Sequence, residues 1–203
     1  MHEQSFIELT VEIISAGGWV MIPLFILGFM AFYIGSRLFL YFKRANVKKT
    51  SIAQCEEWIK NPDAAQGQVG EIIRYSQEGV NSLGDIQNRF AEIRTAEVPR
   101  LSQNLVLLTI IVNVAPLMGL LGTVLGMLTT FQGISLGGAD QTTNVVADGI
   151  HEALITTQMG LCLAIPGYFV CYFIRQKVID FEGFLVRLES ITLQELREKF
   201  SAK

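Results

Sequence analysis

Residues 101–139 read LSQNLVLLTIIVNVAPLMGLLGTVLGMLTTFQGISLGGA, 39 residues without one charged side chain. A helix of about 20 apolar residues crosses a bilayer, so this stretch is longer than one crossing requires. We place the membrane-spanning part at residues 105–133. The flanking residues must therefore continue beyond the hydrocarbon as helix or loop.

Two more uncharged apolar windows lie on either side of this stretch. The first covers residues 13–36 and the other covers residues 153–174, which gives 24 and 22 residues. Each window is long enough for one helical crossing. The sequence therefore predicts an all-α integral membrane protein with three transmembrane helices, whose two termini lie on opposite sides of the membrane.

The basic residues give the orientation of these crossings. All 16 Lys and Arg residues lie in two blocks, ten from Arg37 to Arg100 and six from Arg175 to Lys203. Because basic residues are retained on the cytoplasmic side, we expect the N-terminus outside and the C-terminus in the cytoplasm. The first 12 residues contain no Lys or Arg, so no cleavable signal is expected.

The charge pattern and the helical periodicity together divide the chain into seven segments. Ser82 and Asp85 fit a capping box, from which a long helix is predicted to run into the second span. The third helix is likewise predicted to continue into the cytoplasm. The segments are an outer amphipathic segment (1–12), the first span (13–36), a cytoplasmic helical domain (37–104), the second span (105–133), an outer loop (134–152), the third span (153–174) and a cytoplasmic C-terminal helix (175–203).

Composition argues against several classes of function. The net charge is −3, and no basic face rich in aromatic residues suggests nucleic-acid binding. His2 and His151 are the only histidines, and the sequence has no phosphate-binding loop and no nucleophile elbow. We therefore expect no metal, no cofactor and no enzymatic activity.

Small residues recur along the second and third spans. Gly119, Gly126 and Gly133 are spaced by seven residues, and Gly122 forms a GxxxG pair with Gly126. In the third span, Gly160 belongs to a comparable track. Tracks of this kind let two helices approach closely inside a membrane, so we expect these two spans to pack on each other.

Polar side chains follow a second stripe along the same spans. Thr109, Pro116, Thr123 and Thr130 also repeat every seven residues, and a heptad drifts by only about 20° on a straight helix. Other polar residues at membrane depth are Asn113, Thr156, Thr157 and Gln158. These hydroxyls could bond to their own helix or join helices, or they could line an ion route. A Thr hydroxyl cannot carry a proton near neutral pH, so it would line such a route without being the carrier.

Glu152 is the one carboxylate that could enter the third span, at its outer end. Ionisable residues inside a membrane are costly and commonly functional, although this one could also be a solvated residue of the interface. No carboxylate lies in the middle of any predicted span. A proton route through this chain would therefore need an acid from a partner helix.

Two motifs carry a family resemblance. Residues 113–127, NVAPLMGLLGTVLGM, resemble the first signature of the ExbB/TolQ/MotA proton-channel family. Residues 149–161, GIHEALITTQMGL, followed by Ala164-Ile165-Pro166, resemble its second signature. The three-span plan is most similar to the ExbB/TolQ branch and covers essentially the whole chain.

This resemblance implies a stator-type motor subunit of the bacterial inner membrane. It implies a homopentamer around the transmembrane helices of an ExbD/TolR-like dimer. The proton-motive force drives protonation of an essential Asp in that dimer. The motion would reach a periplasmic load such as a TonB-like protein. Thr123 and Thr157 match the threonines that face the partner Asp, and Glu152 matches the acid at the start of the third span. Pro116 and Pro166 match the signature prolines.

Two other classes of function stay open from the sequence. A solute transporter would need a substrate site near the midplane and commonly has repeated halves, which this chain lacks. A structural membrane scaffold would explain the glycines but gives the Thr stripe and Glu152 no purpose.

Overall fold

The structure is a computed structural model that describes residues 16–45, 52–80, 82–136 and 139–201. The predicted outer segment at residues 1–12 lies outside the described residues. In the described residues the secondary structure is helical, without a strand: α1 (Met21–Ala45), α2 (Ile52–Lys60), a 3-10 turn (Pro62–Ala64), α3 (Gly67–Gln77), α4 (Leu83–Leu136) and α5 (Ala139–Ser201).

Three of these helices are long and apolar enough to cross a membrane: α1, α4 and α5. A helix is a stable way to cross hydrocarbon because it satisfies every backbone hydrogen bond within itself. The predicted fold class, an all-α protein with three spanning helices and long helical extensions, is confirmed. The segment boundaries and the sidedness remain predictions.

The structure differs from the predicted outer loop at residues 134–152. Helix α4 ends at Leu136 and α5 already begins at Ala139, so residues 139–152 are helical. The polar residues between Asp140 and Asp148 suggested a loop. Polar residues indicate exposure to water, however, and they do not exclude a helix. No proline interrupts this stretch, so nothing in its sequence stops the helix.

The described contacts divide the chain into two compact units. The first unit comprises residues up to 34 and residues 107–171, and the second comprises residues 35–106 and 172–203. Helices α1, α4 and α5 each contribute to both units. The predicted candidate-site residues all belong to the first unit.

In the second unit, α4 and α5 continue beyond their most apolar parts and pack with α2 and α3. Buried side chains recur at helical spacing on α4 at Ile86, Phe90 and Ile93, as the sequence predicted. On α5 the buried stripe consists of Val178, Phe181, Leu185, Leu188 and Thr192.

Polar contacts connect the helices of the second unit. Arg94 of α4 pairs with Glu189 of α5, and Lys60 of α2 lies 3.5 Å from Glu195 of α5. The amide of Gln77 donates to the carbonyl of Ile59 at 3.1 Å, which joins α3 to α2.

The predicted capping box at the start of α4 is present. The backbone N–H of Ser82 donates to the Asp85 carboxylate at 2.9 Å, and the N–H of Asp85 donates to the Ser82 hydroxyl at 3.2 Å. These two bonds satisfy donors that the first turn of a helix leaves unpaired. Cys55 of α2 is buried, and this burial raises the pKa of its thiol, so it acts as a packing residue.

Candidate functional site

The candidate site is built on the contact between α4 and α5, which is made through glycines. A Cβ added to Gly160 would lie 2.7 Å from the carbonyl oxygen of Ala115. A Cβ added to Gly119 would lie 3.0 Å from the Cα of Thr157. Only hydrogen fits at these positions, so the two backbones touch.

The same contact continues toward the hairpin end of the two helices. A Cβ on Gly126 would lie 2.6 Å from the carbonyl oxygen of Gly149. Gly122 faces the side chain of Thr156, and Gly133 faces the side chain of Val145. The contact therefore extends over at least four turns of α4, and small residues set its closeness.

Helix α1 covers one side of this helix pair. Val20, Met21 and Leu24 form a buried cluster with Ala115 of α4 and Ile155 of α5. The partly buried side chains around the cluster are Ala16, Met118, Leu125, Met159 and Leu163. This side of the α4–α5 contact is apolar and closed.

The other side of the contact carries polar side chains, and we call Asn113, Thr123, Thr157 and Tyr168 the polar edge. At 100° per residue, the first two lie on the flank of α4 turned away from the α1 cluster, and the other two occupy the matching flank of α5. Thr123 and Thr157 are half-buried, whereas Asn113 and Tyr168 are exposed. Within the part of the subunit that the structure describes, the polar edge is thus the face left open.

The two threonines of the polar edge are held by backbone carbonyls. The Thr157 hydroxyl lies 3.2 Å from two carbonyl oxygens, that of Ala153 on its own helix and that of Gly119 on α4. The Thr123 hydroxyl donates to the carbonyl of Leu120 at 2.6 Å. These bonds fix the hydroxyl oxygens in place, and each oxygen keeps acceptor capacity for a further donor.

Tyr168 is a member of the edge that the sequence reasoning missed. Its hydroxyl donates to the Asn113 side-chain oxygen at 2.9 Å and so bridges α5 and α4. The sequence spacing could have indicated Tyr168, because a residue eleven positions after Thr157 lies on the same helix face.

Two predicted pathway residues lie away from the polar edge. Thr156 and Thr130 are buried inside the α4–α5 contact, where their hydroxyls donate to carbonyls of their own helices. Thr109, by contrast, is half-buried on the same flank of α4 as Thr123 and Asn113, and it shares a side-chain hydrogen bond with Cys171. The side chains of Thr156 and Thr130 therefore pack within the contact and do not reach the polar edge.

Glu152 is not brought to the polar edge either. A Cβ built on Gly18 would lie 2.7 Å from the carboxyl carbon of Glu152, so this half-buried side chain lies against the backbone just before α1. Gly18 has a positive φ of 62°, which also favours glycine. The structure thus separates the acid from Thr123 and Thr157.

The two signature prolines are accommodated within continuous helices. Pro116 of α4 is half-buried next to the glycine contact, and Pro166 lies inside α5 with an exposed ring. A proline removes one helical N–H donor and frees a carbonyl oxygen. Each proline therefore leaves its helix with one backbone hydrogen bond fewer at that position.

Chemically, the polar edge offers hydroxyl and amide groups and no carboxylate. Among the described residues, no group of three His, Cys, Asp or Glu side chains could hold a metal ion. The edge can donate hydrogen bonds to a neighbouring acid or accept them from it.

The bond between Tyr168 and Asn113 is expected to stabilise the helix pair modestly. A double-mutant cycle with Tyr168→Phe and Asn113→Ala should give a coupling energy of about 0.6 kcal/mol, with about 1.7 kcal/mol as an upper bound for such bonds in membranes. Thermal unfolding in detergent measures it. Tyr172→Phe is the control, since Tyr172 is exposed and its ring contacts the ring of Phe173. A coupling of zero would show that the bond does not form.

The fold has three apolar helices, and two of them, α4 and α5, contact each other through glycines and carry the polar edge. These features define a multi-pass membrane protein. The model of the MotA/TolQ/ExbB proton channel family matches residues 70–183, which is more than half of the chain and includes the four residues of the polar edge. The chain belongs to this family.

Named relatives agree with this assignment. The chain is 30% identical over 167 residues to a putative biopolymer transport protein, ExbB-like 1, of Synechocystis, which covers 73% of the chain and 64% of that protein. It is 48% identical over 60 residues to the biopolymer transport protein exbB1 of Vibrio cholerae, covering 30% of the chain and 26% of that protein.

A relative with a different name is also similar. The Tol-Pal system protein TolQ of Haemophilus influenzae is 41% identical over 106 residues, covering 52% of the chain and 40% of that protein. The chain spans less than two thirds of the length of each of these relatives.

Proposed function

We propose that this chain is the channel-forming stator subunit of an ExbB–ExbD or TolQ–TolR type motor, which couples the proton-motive force to mechanical work in the periplasm. The observation that carries the proposal is the polar edge. It is open, it bears fixed hydroxyls, and the uncharged window of α4 beside it supplies no acid.

The missing acid defines the partner. Thr123 and Thr157 can stabilise a carboxylate or a carboxylic acid by hydrogen bonds, but they cannot carry the proton themselves. A single-span ExbD/TolR-like protein with a transmembrane Asp would supply the carrier. Several copies of this chain, a homopentamer in the proposal, would place their polar edges around a dimer of that partner.

The driving force is electrostatic. One elementary charge that crosses the membrane potential releases about 2.3 kcal/mol per 100 mV. This is sufficient to bias steps between rotational states of similar energy. The hydroxyls at two positions along the edge would stabilise the partner Asp in successive protonation states, so that proton passage and relative rotation are linked.

The proposed setting is the inner membrane, with the N-terminus in the periplasm and the C-terminus in the cytoplasm. The basic residues that follow the first and the third uncharged windows support this orientation. The load would be a periplasmic or periplasm-spanning protein, of TonB type in an ExbB-like system.

A structural scaffold is the second candidate function, and one observation favours it. The two threonine hydroxyls of the edge already bond to helix carbonyls, which is how a purely structural Thr behaves in a membrane. The two functions differ in whether removal of a hydroxyl stops energy-dependent work.

The proposal is tested by co-expression with a short single-span protein that carries a central transmembrane Asp, encoded beside this chain. We expect co-purification in a defined ratio and proton uptake into liposomes that contain the complex. The matched control is the partner's Asp→Asn form, which should assemble but pass no protons. Unchanged proton uptake with that form, or proton uptake by this chain alone, would contradict the proposal.

A further inference from the structure

We propose that Arg37, Arg100 and Asn104 form a binding site for the phosphate group of an anionic phospholipid. These three side chains line a cavity of about 110 Å³ in the second unit, together with Leu38, Tyr41 and Leu101. This inference concerns a site outside the polar edge and does not depend on the proposed motor function.

The charge of the cavity is positive and has no internal counter-ion. In the part of the chain that the structure describes, neither Arg37 nor Arg100 has a carboxylate within 4.0 Å. The nearby carboxylate of Glu97 accepts a hydrogen bond from the Tyr41 hydroxyl at 2.7 Å and does not line the cavity. Both arginines therefore line one small cavity, and no carboxylate is among its lining residues.

The position of the cavity in the sequence places it at the membrane boundary. Arg37 directly follows the uncharged window at residues 13–36, and Arg100 directly precedes the uncharged window at residues 101–139. By the predicted span boundaries, both arginines therefore lie where hydrocarbon gives way to headgroups. Lipid phosphates occupy this same depth, and basic residues there are attracted to anionic lipids.

The size and the lining of the cavity suit a phosphate. A cavity of about 110 Å³ has room for a small polar group such as a phosphate. Guanidinium forks match phosphate oxygens with paired hydrogen bonds, and the Asn104 amide adds another donor. Leu38 and Leu101 are buried and give the cavity an apolar wall.

The test measures lipid binding by native mass spectrometry of the delipidated protein in detergent. Phosphatidylglycerol, phosphatidylcholine and inorganic phosphate are the three probes. A basic residue near an anionic surface contributes about fivefold in affinity, so the Arg37→Gln, Arg100→Gln double variant should bind phosphatidylglycerol roughly 25-fold more weakly. Phosphatidylcholine should bind weakly to both proteins.

The matched control removes the same charge elsewhere. The Arg74→Gln, Arg187→Gln double variant changes two exposed arginines on α3 and α5 and should keep the affinity of the unchanged protein. An Arg37→Lys, Arg100→Lys variant, which keeps the charge without the fork, should show an intermediate loss if the site is as described.

Three outcomes would overturn the proposal. One is an equal affinity for phosphatidylglycerol in the site variant and the control variant. Another is equal binding of phosphatidylcholine and phosphatidylglycerol by the unchanged protein. The third is displacement of phosphatidylglycerol by inorganic phosphate at a comparable concentration, which would show that the site binds free anions.

Discussion

Thr157→Val is expected to leave the assembled subunit intact and to abolish proton-driven work. Valine has nearly the shape of threonine, so the packing of α5 on Gly119 is kept while the hydroxyl is removed. The lost group is the one whose oxygen lies 3.2 Å from the Gly119 carbonyl on the open edge. Without it, a partner acid beside this edge loses a fixed hydrogen-bond partner at membrane depth, where water cannot replace it.

The readout is energy-dependent work of the complex with its partner, together with proton uptake in liposomes. We expect a loss of at least tenfold in both, because one hydrogen bond to a charged group contributes about 1.5–3 kcal/mol. Subunit stoichiometry, measured by mass photometry, should not change. The Thr123→Val, Thr157→Val double variant should likewise show no proton-driven work.

Thr129→Val is the matched control for this prediction. Thr129 also lies on α4 and also donates its hydroxyl to a helix carbonyl, that of Gly126 at 2.7 Å. It lies on the flank of α4 that faces away from the polar edge. The Thr129→Val variant should therefore keep normal energy-dependent work and proton uptake. Normal energy-dependent output from the Thr123→Val, Thr157→Val variant would reject the role of the polar edge and favour the scaffold.

Gly160→Ala is expected to destabilise the helix pair by about 1–3 kcal/mol, the usual cost of forcing extra atoms into a packed contact. The added methyl group would lie 2.7 Å from the carbonyl oxygen of Ala115 and 3.3 Å from the Cα of Gly119. Both neighbours are backbone atoms, which cannot move aside as a flexible side chain would. The helices must therefore separate, and the loss is measured as a lower midpoint of thermal unfolding in detergent.

Gly183→Ala is the control on the same helix. A Cβ at Gly183 meets no heavy atom within 4 Å, so the substitution adds no clash. Alanine is favoured over glycine inside a helix by about 1 kcal/mol, so this variant should be slightly more stable than the unchanged protein. If Gly160→Ala proved as stable as Gly183→Ala, the close contact of α4 and α5 would be wrong.

Local features of the fold could be predicted because they depend on neighbouring residues in the sequence. The Ser82–Asp85 capping box and the buried stripe of α4 are examples, since each follows from spacing on one helix. The uncharged windows predicted three spanning helices, because hydrocarbon tolerates neither charges nor unsatisfied backbone groups. At residues 139–152 the structure has helix where the sequence predicted an outer loop, and no proline interrupts that stretch.

Within the candidate site, the sequence indicated the kinds of residue but not their positions around the helices. Thr156 and Thr157 are adjacent in sequence, yet one is buried against Gly122 and the other lies at the open edge. A difference of 100° around α5 separates them, and only the contact with α4 shows which side is closed. The Tyr168–Asn113 bond joins two helices and could not be read from either one.

The sequence by itself therefore determined that this protein has three apolar helices, that small residues bring two of them together, and that no acid lies at mid-span. Periodicity and composition suffice for these properties because they act along one helix at a time. The tertiary structure decided which hydroxyls are open. Helix α1 packs on one side of the α4–α5 pair and leaves the other side bare, so Thr123 and Thr157 lie at the open edge while Glu152 is turned toward Gly18. The physical reason is that burial of a side chain depends on the placement of the neighbouring helices, which no single-helix pattern contains.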